Sequence, residues 1–212
     1  MKFVVTAGPT REHLDPVRFL SNPSTGKMGF AVARAAAMRG HEVALVAGPV
    51  SLKTPNGVRR IDVTSAREML AAVEQEMAKA KGAVVFVATA AVADWRPAKC
   101  AARKLKKGQM SDTLKLVRNP DILKTVARRP RKNLVAVGFA AETNDILAEA
   151  RRKCREKNLD MIVANDVTEK GAGFGVDTNR VTLVRKDGSA ERLPLMTKLA
   201  VARRLIREIE SW

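Results

Sequence analysis

Residues 2–6 (K-F-V-V-T) form an almost unbroken apolar run, the pattern of a strand covered on both faces. Runs of the same kind recur at 41–46, 83–89, 133–139 and 160–164, with a weaker one at 60–63. Between them the period changes. Met28, Val32, Ala36 and Met38 recur at helical spacing and predict a helix over 26–39 that stops at Gly40. Ser65 is placed to cap a helix over 66–80, and two more helices are predicted over 144–157 and 196–211. Asn119-Pro120-Asp121-Ile122 reads as a further helix start, with Asn119 as cap and Pro120 at the first helical position. Residues 180–193 alternate around Asp187-Gly188 and predict a β-hairpin with a two-residue turn. Residues 96–111 are basic and poor in large apolar side chains, which predicts a mobile basic flap.

Strands alternating with helices argue for the α/β class: a doubly wound, mainly parallel sheet with helices on both sides and a C-terminal β-hairpin. No internal repeat, linker or break in composition divides the chain, so residues 1–212 are read as a single domain. In such a sheet, ligands bind beyond the carboxyl ends of the strands. The segments that follow those ends are 7–26, 90–107, 140–143 and 165–175.

Composition narrows the function. The formal charge is +17, which suits nucleic acid, an anionic membrane surface or phosphorylated small molecules. Aromatic residues make up 4% of the chain and Tyr is absent, so the stacking platforms of single-strand binders are poorly supplied. No signal-peptide core or membrane-length apolar run is present, which argues against a membrane partner. Cys100, Cys154, His13 and His41 give neither a disulfide framework nor a zinc spacing, and a cytoplasmic location is expected.

The first strand runs into a polar loop and then a helix start, and first-turn N–H groups there favour anions. The loop is not a Walker loop, because Ser21 and Met28 stand where Gly and Ser or Thr are needed. Ser24 or Thr25 serves either as a plain helix cap or as part of a phosphate site, in which Gly26 and Gly29 allow close approach and Arg11, Arg18 and Lys27 supply charge. Asp94, after the small residues Ala90-Ala91, either closes its own turn or orients an amide or hydroxyl of a ligand. The lysines of 104–107 are a solvated run or catalytic groups, and Phe139 is core or a stacking surface. Lys153 and Lys157 share a helix face and fit either the helix dipole or a triphosphate.

In series, T-A-G-P-T-R-E-H-L-D-P-V-R-F-L-S-N-P-S-T-G-K-M-G, A-A-V-A-D-W-R-P, K-L-K-K, N-P-D-I-L, G-F-A-A-E-T and N-L-D-M-I-V-A-N-D-V resemble bacterial phosphopantothenoylcysteine synthetase (phosphopantothenate–cysteine ligase) in order and spacing. The resemblance runs from Phe3 through the predicted hairpin. It implies a Rossmann-like fold and a ligase that joins 4'-phosphopantothenate to L-cysteine. CTP would be the co-substrate with Mg2+, the route would pass through an acyl-cytidylate, and the enzyme would be a homodimer. By motif, Asn22 corresponds to the residue holding the acyl intermediate, and Lys104 to the catalytic flap lysine that also contacts nucleotide. Nucleotide contacts correspond to Ala88, Thr89, Ala90, Asp94, Pro120, Asp121, Ile122, Leu123, Phe139, Lys153 and Lys157, and in some relatives to Gly8, Ser24, Gly26, Gly29 and Asn165. Phosphopantothenate contacts correspond to Asn22, Ala90, Ala91 and Asp94, with Arg18 reaching the phosphate across a dimer interface.

Two features depart from the family pattern. Many relatives carry a flavin-dependent decarboxylase ahead of this segment, so FMN is expected only with such a half, and the chain is either a standalone enzyme or one half of a larger one. Ala102-Arg103 also replaces the usual Pro-Glu before the flap lysine. Two other functions make distinct demands. A nicotinamide-dependent reductase needs Gly-x-Gly after the first strand and an acidic residue ending the second, where this chain has Ala47-Gly48-Pro49. A nucleic-acid module needs a reading helix or stacking aromatics, and neither is evident.

Overall fold

The computed structural model describes residues 1–106, 113–129, 133–142, 145–166, 169, 171–173 and 175–212. In chain order the elements are β1 (Lys2–Ala7), β2 (Arg11–His13), β3 (Phe19–Ser21), α1 (Lys27–Met38), β4 (Glu42–Ala47), β5 (Val58–Asp62), α2 (Ala66–Ala78), β6 (Val84–Ala88) and β7 (Trp95–Pro97). There follow β8 (Leu116–Arg118), α3 (Ile122–Ala127), β9 (Leu134–Glu142), α4 (Ile146–Glu156), β10 (Met161–Asp166), β11 (Thr178–Asn179), β12 (Val181–Arg185), β13 (Ala190–Arg192), β14 (Met196–Thr197) and α5 (Lys198–Glu210).

Eight strands make one sheet in the order β5-β4-β1-β6-β9-β10-β12-β13. The first six are parallel, and β12 and β13 close the edge antiparallel. The chain moves outward from β1 to β5, then returns to β6 and proceeds the other way. That reversal opens a crevice at the carboxyl ends of β1 and β6.

Period-2 alternation along β1 sorts its side chains into two cores. Phe3, Val5 and Ala7 pack with α1 and α5, whereas Val4 packs with α2 and α3 beside Phe86. Ala150 and Cys154 of α4 extend the second face over Ala136 and Ile162. Fully burying a side chain such as Phe3, Leu45 or Phe86 contributes about 1.5–3 kcal/mol, so these runs fix where the strand tips end.

Several local expectations are corrected. Asn119 does not cap α3; the Asp121 carboxylate accepts from Lys124 N–H, and the helix has only six residues. Asn119 is used elsewhere: its Nδ2 donates to Ala93 O over 2.8 Å and its Oδ1 accepts from Arg96. The hairpin turn holds three residues rather than two, because Gly188 N–H bonds Arg185 O while Arg185 N–H bonds Ser189 O, with Gly188 at φ 85°. The predicted flap begins as ordered ribbon, β7 pairing antiparallel with β8; its positions 107–111 lie outside the described residues. So do Thr143 and Asn144. No described helix is long and apolar enough to cross a membrane.

Candidate functional site

The loops that leave β1 and β6 are stitched together at the crevice. Ala91 N–H donates to Gly8 O over 2.9 Å, Thr89 N–H donates to Thr6 O, and Pro9 bridges Ala91. Gly8 takes φ 78°, which favours glycine. The chain then forms the β2–β3 ribbon, passes Asn22 and enters α1 through Gly26 at φ 79°.

Neither Ser24 nor Thr25 caps α1, contrary to the simpler expectation; the N-cap residue is Gly26, and among the described residues no side chain caps the first turn. Ser24 Oγ only accepts from Gly26 N–H, at 3.4 Å. The amide end of α1 is therefore left for another acceptor. Gly29 has a second function: a Cβ there would lie 2.3 Å from Thr89 Oγ1 and 2.5 Å from the Ala7 Cβ, so α1 sits directly against the strand ends.

Two cavities adjoin at these strand tips. The smaller, about 170 Å³, lies at the α1 end and is lined by Ser24, Gly26, Gly29, Thr89, Phe139 and Asn165, among others. The larger, about 450 Å³, is lined by Asn22, Ala88, Asp94, Pro120–Leu123, Lys153 and Lys157. Ala90, Ala91, Phe139, Ala140 and Ala141 belong to both, so they form a common wall of small residues with one aromatic ring. Asn22 Nδ2 donates to Ala91 O over 3.1 Å and ties its amide to that wall.

Charge is distributed at both ends. Lys157 Nζ pairs with Asp121 at 2.9 Å. Burial raises the Asp121 pKa, but the Lys124 amide and the Lys157 ammonium outweigh it, and the carboxyl is held below its usual range. At the other end Lys27 Nζ bonds Gly175 O and Asp177, while buried Lys198 bonds Gly173 O and Val176 O. Burial, aided by Lys27, pushes the Lys198 pKa down. Among the described residues no group of three or more His, Cys, Asp or Glu assembles, and the acidic side chains lining the larger cavity, Asp94 and Asp121, make no such set. The described residues therefore do not form a protein cage for magnesium.

Of the residues singled out from the sequence, Asn22, Asp94 and Phe139 meet in one cavity, and all the other contacts implied by the resemblance except three line one or both. Gly8, Arg18 and Lys104 line neither, and nor does Arg11, expected to supply charge there, which lies over the Phe19 ring instead. Gly8 shapes the loop behind the wall. Arg18 is bound to the buried Asp15 carboxylate, and its Nη2 also donates to Leu105 O over 3.0 Å. Leu105 N–H donates to the same carboxylate, so the exposed Lys104 is held next to a fixed point. Arg18 and the amides of Val17, Arg18 and Leu105 drive the Asp15 pKa well below the usual carboxylate range against the opposing effect of burial.

Sequence reading missed Asn179 and Lys198, both of which line the smaller cavity. Asn179 lies on β11 and Lys198 opens α5, and the two arrive together only because β11 pairs with β14. No local spacing signals that pairing.

The model of the DNA/pantothenate metabolism flavoprotein C-terminal domain family (DFP) matches residues 1–212. The chain belongs to this family. It is 52% identical over 203 residues to the coenzyme A biosynthesis bifunctional protein CoaBC of Vibrio cholerae, covering 95% of this chain and 50% of that protein. It is 50% identical over 209 residues to CoaBC of Bacillus subtilis, covering 98% and 50%. The chain thus spans about half the length of the curated relatives it matches. Among solved structures, the C-terminal domain of a CoaBC aligns with TM-score 0.83 at 43% identity, over 99% of this chain and 94% of that one. A Cab2 mutant in complex with phosphopantothenate-cysteine shares the fold at TM-score 0.78 and 16% identity, over 99% and 85%. A nicotinamide-reductase reading finds no support among these relatives, and β4 ends at Ala47 without the acidic residue it requires.

Proposed function

We propose that the chain catalyses the ligation of 4'-phosphopantothenate with L-cysteine, cleaving CTP to CMP and pyrophosphate by way of an acyl-cytidylate. The carrying observation is the pair of cavities with one common wall. An uncapped helix end and two lysines face one side, and an acid-lined, lysine-bearing hollow faces the other, with Asn22 at the junction. Membership of the family and the names of its CoaBC relatives point the same way.

The chemistry has two steps. A carboxylate oxygen of the acid attacks the α-phosphorus, the bond to the bridging oxygen breaks, and pyrophosphate leaves. The amine then attacks the acyl carbon, the bond to the phosphate oxygen breaks, and CMP leaves with the electron pair. Both steps build negative charge on oxygen, so positioned donors are the main requirement. The first-turn amides of α1 and the N–H groups of Lys27 and Lys198 receive the phosphate chain. An asparagine amide has two N–H groups, and Asn22 spends one on Ala91 O, which leaves the other for the acyl oxygen. Asp94 orients the pantothenate arm, and Pro120–Leu123 with Phe139 enclose the nucleoside. Lys104 supplies charge to the phosphates, and Arg18 to the phosphate of the acid.

Magnesium would enter with the nucleotide, and no step here is routed through it. FMN belongs to the decarboxylase half of larger relatives and has no part in this reaction. A homodimer is supported by Val17, Phe19, Trp95 and Leu116, apolar side chains exposed on adjacent ribbons. A reducing cytoplasm suits both a thiol substrate and a chain whose Cys100 and Cys154 are free thiols.

The test is pyrophosphate release from CTP and from ATP, each with and without phosphopantothenate. Release from CTP that depends on the acid is expected; release that is indifferent to the acid, or none with either nucleotide, would refute the proposal.

A further inference from the structure

Among the described residues, three buried side-chain polar atoms lack a hydrogen-bond partner: Asn165 Oδ1, Asn179 Oδ1 and Arg180 Nε. Two of the three belong to residues that line the same small cavity. Asn179 is only 3% exposed. Leaving a buried acceptor unsatisfied costs about 1–3 kcal/mol, so two such oxygens on residues that line one cavity favour a ligand that brings donors to them. A polyphosphate at neutral pH brings acceptors only and cannot fill that role. An ammonium group brings three N–H donors.

The same cavity also holds donors. The α1 amides have no side-chain acceptor. Lys27 and Lys198 each direct two bonds at backbone or carboxylate oxygens of residues 173–177, and an ammonium has a third N–H. Acceptors and donors in one hollow match a ligand that carries both an ammonium and a carboxylate. At about 170 Å³ the hollow is well below the roughly 300 Å³ at which drug-sized sites begin, so it suits a small amino acid better than a nucleoside.

We infer that this end of the smaller cavity is the subsite for the amino-acid acceptor, bound as a zwitterion. Asn165 and Asn179 accept from its ammonium, and the α1 amides with Lys27 and Lys198 hold its carboxylate. The inference rests on the proposed ligation. In that reaction pyrophosphate departs before the amine attacks, so the donors that held the phosphate chain are released for a carboxylate. The bound ammonium loses one proton to water, its lone pair forms the C–N bond, and CMP takes the electrons of the broken C–O bond. The second amine proton then passes to solvent. The shared wall at Ala90, Ala91 and Phe139 puts this subsite directly beside the acyl group held at Asn22.

The test separates the two half-reactions. Asn179→Leu should raise the KM for L-cysteine by about tenfold, the effect of one hydrogen bond to a charged group. The KM for CTP and single-turnover pyrophosphate release without cysteine should stay at wild-type values. Asn179→Asp, which keeps the acceptors, should return the cysteine KM to the wild-type value or below. A raised KM for CTP with cysteine unaffected would overturn the inference, as would an Asp variant no better than Leu. Should the Leu variant fail to fold, the wild-type protein decides with cysteamine, which lacks the carboxylate. A KM many-fold above that of cysteine supports the subsite, and an equal one overturns it. Absence of pyrophosphate release in the wild type would instead refute the ligation itself.

Discussion

Asn22 donates its side-chain N–H to the carbonyl oxygen of Ala91, joining the segment between β3 and α1 to the loop after β6 across 69 positions of sequence. The bond spans the topological crevice and fixes the amide at the wall between the two cavities. Asn22→Asp would set a carboxylate oxygen against that carbonyl and remove the second N–H. Loss of one positioned donor of this kind costs about 10²–10³ in rate. Single-turnover pyrophosphate and acyl-cytidylate measurements should show that loss; unchanged rates would remove Asn22 from the mechanism.

Lys104 gives a different prediction because its side chain is exposed and makes no contribution to the core. Lys104→Gln should abolish turnover, by about 100-fold or more on the same scale of charge stabilisation, while Tm stays within a degree or two. The Asp15–Leu105 and Arg18–Leu105 bonds hold the neighbouring backbone in place, so the substitution subtracts charge without moving the segment. Full activity in the variant would end the assignment.

Gly29 is constrained by space alone. Gly29→Ala gains up to about 1 kcal/mol of helix propensity, yet its Cβ would collide with Thr89 and Ala7. Overpacking of this kind costs about 1–3 kcal/mol and pushes α1 off the strand tips. The variant should lose stability in urea melts and bind CTP more weakly. A protein as stable and as tight in nucleotide binding as wild type would contradict the packing argument.

Glu76 predicts a pH dependence. Its side chain is 3% exposed and meets Lys2, Arg59 and Lys79. Burial raises the carboxyl pKa, but the three cations more than reverse this and bring it from 4.5 to about 2. A depressed folded-state pKa contributes stability that is fully present above about pH 4.5 and is lost as pH falls through 2. Glu76→Gln, which leaves the buried Lys2 with only the exposed Glu42 carboxylate as partner, should cost up to about 3 kcal/mol near neutrality. That difference from wild type should shrink steadily below pH 4.5; denaturant melts from pH 7 to pH 3 measure it.

Much of the scaffold could be read from the sequence because its central strands are buried on both faces, and their apolar runs admit no other reading. Ser65 was also legible, since its capping box with Glu68 is complete within four residues. The failures share one physical origin. Asn119 has the form of a cap, but Ala93 and Arg96 outbid the helix for its amide. Ser24 stands at a helix start, but Gly26 turns the chain so that no side chain reaches the first turn. The ribbons β2–β3, β7–β8 and β11–β14 contain two or three residues per strand, too short for alternation to register. Asn179 became visible only through one of them.

The two rims of the sheet are β5, with Arg59, Arg60 and Asp62, and β13, only Ala190-Glu191-Arg192. Brief, ionic border strands resist being extended by a neighbour's backbone. Copies of this molecule are consequently discouraged from knitting into a continuous ladder, so any pairing between them would have to use side chains rather than a shared sheet border.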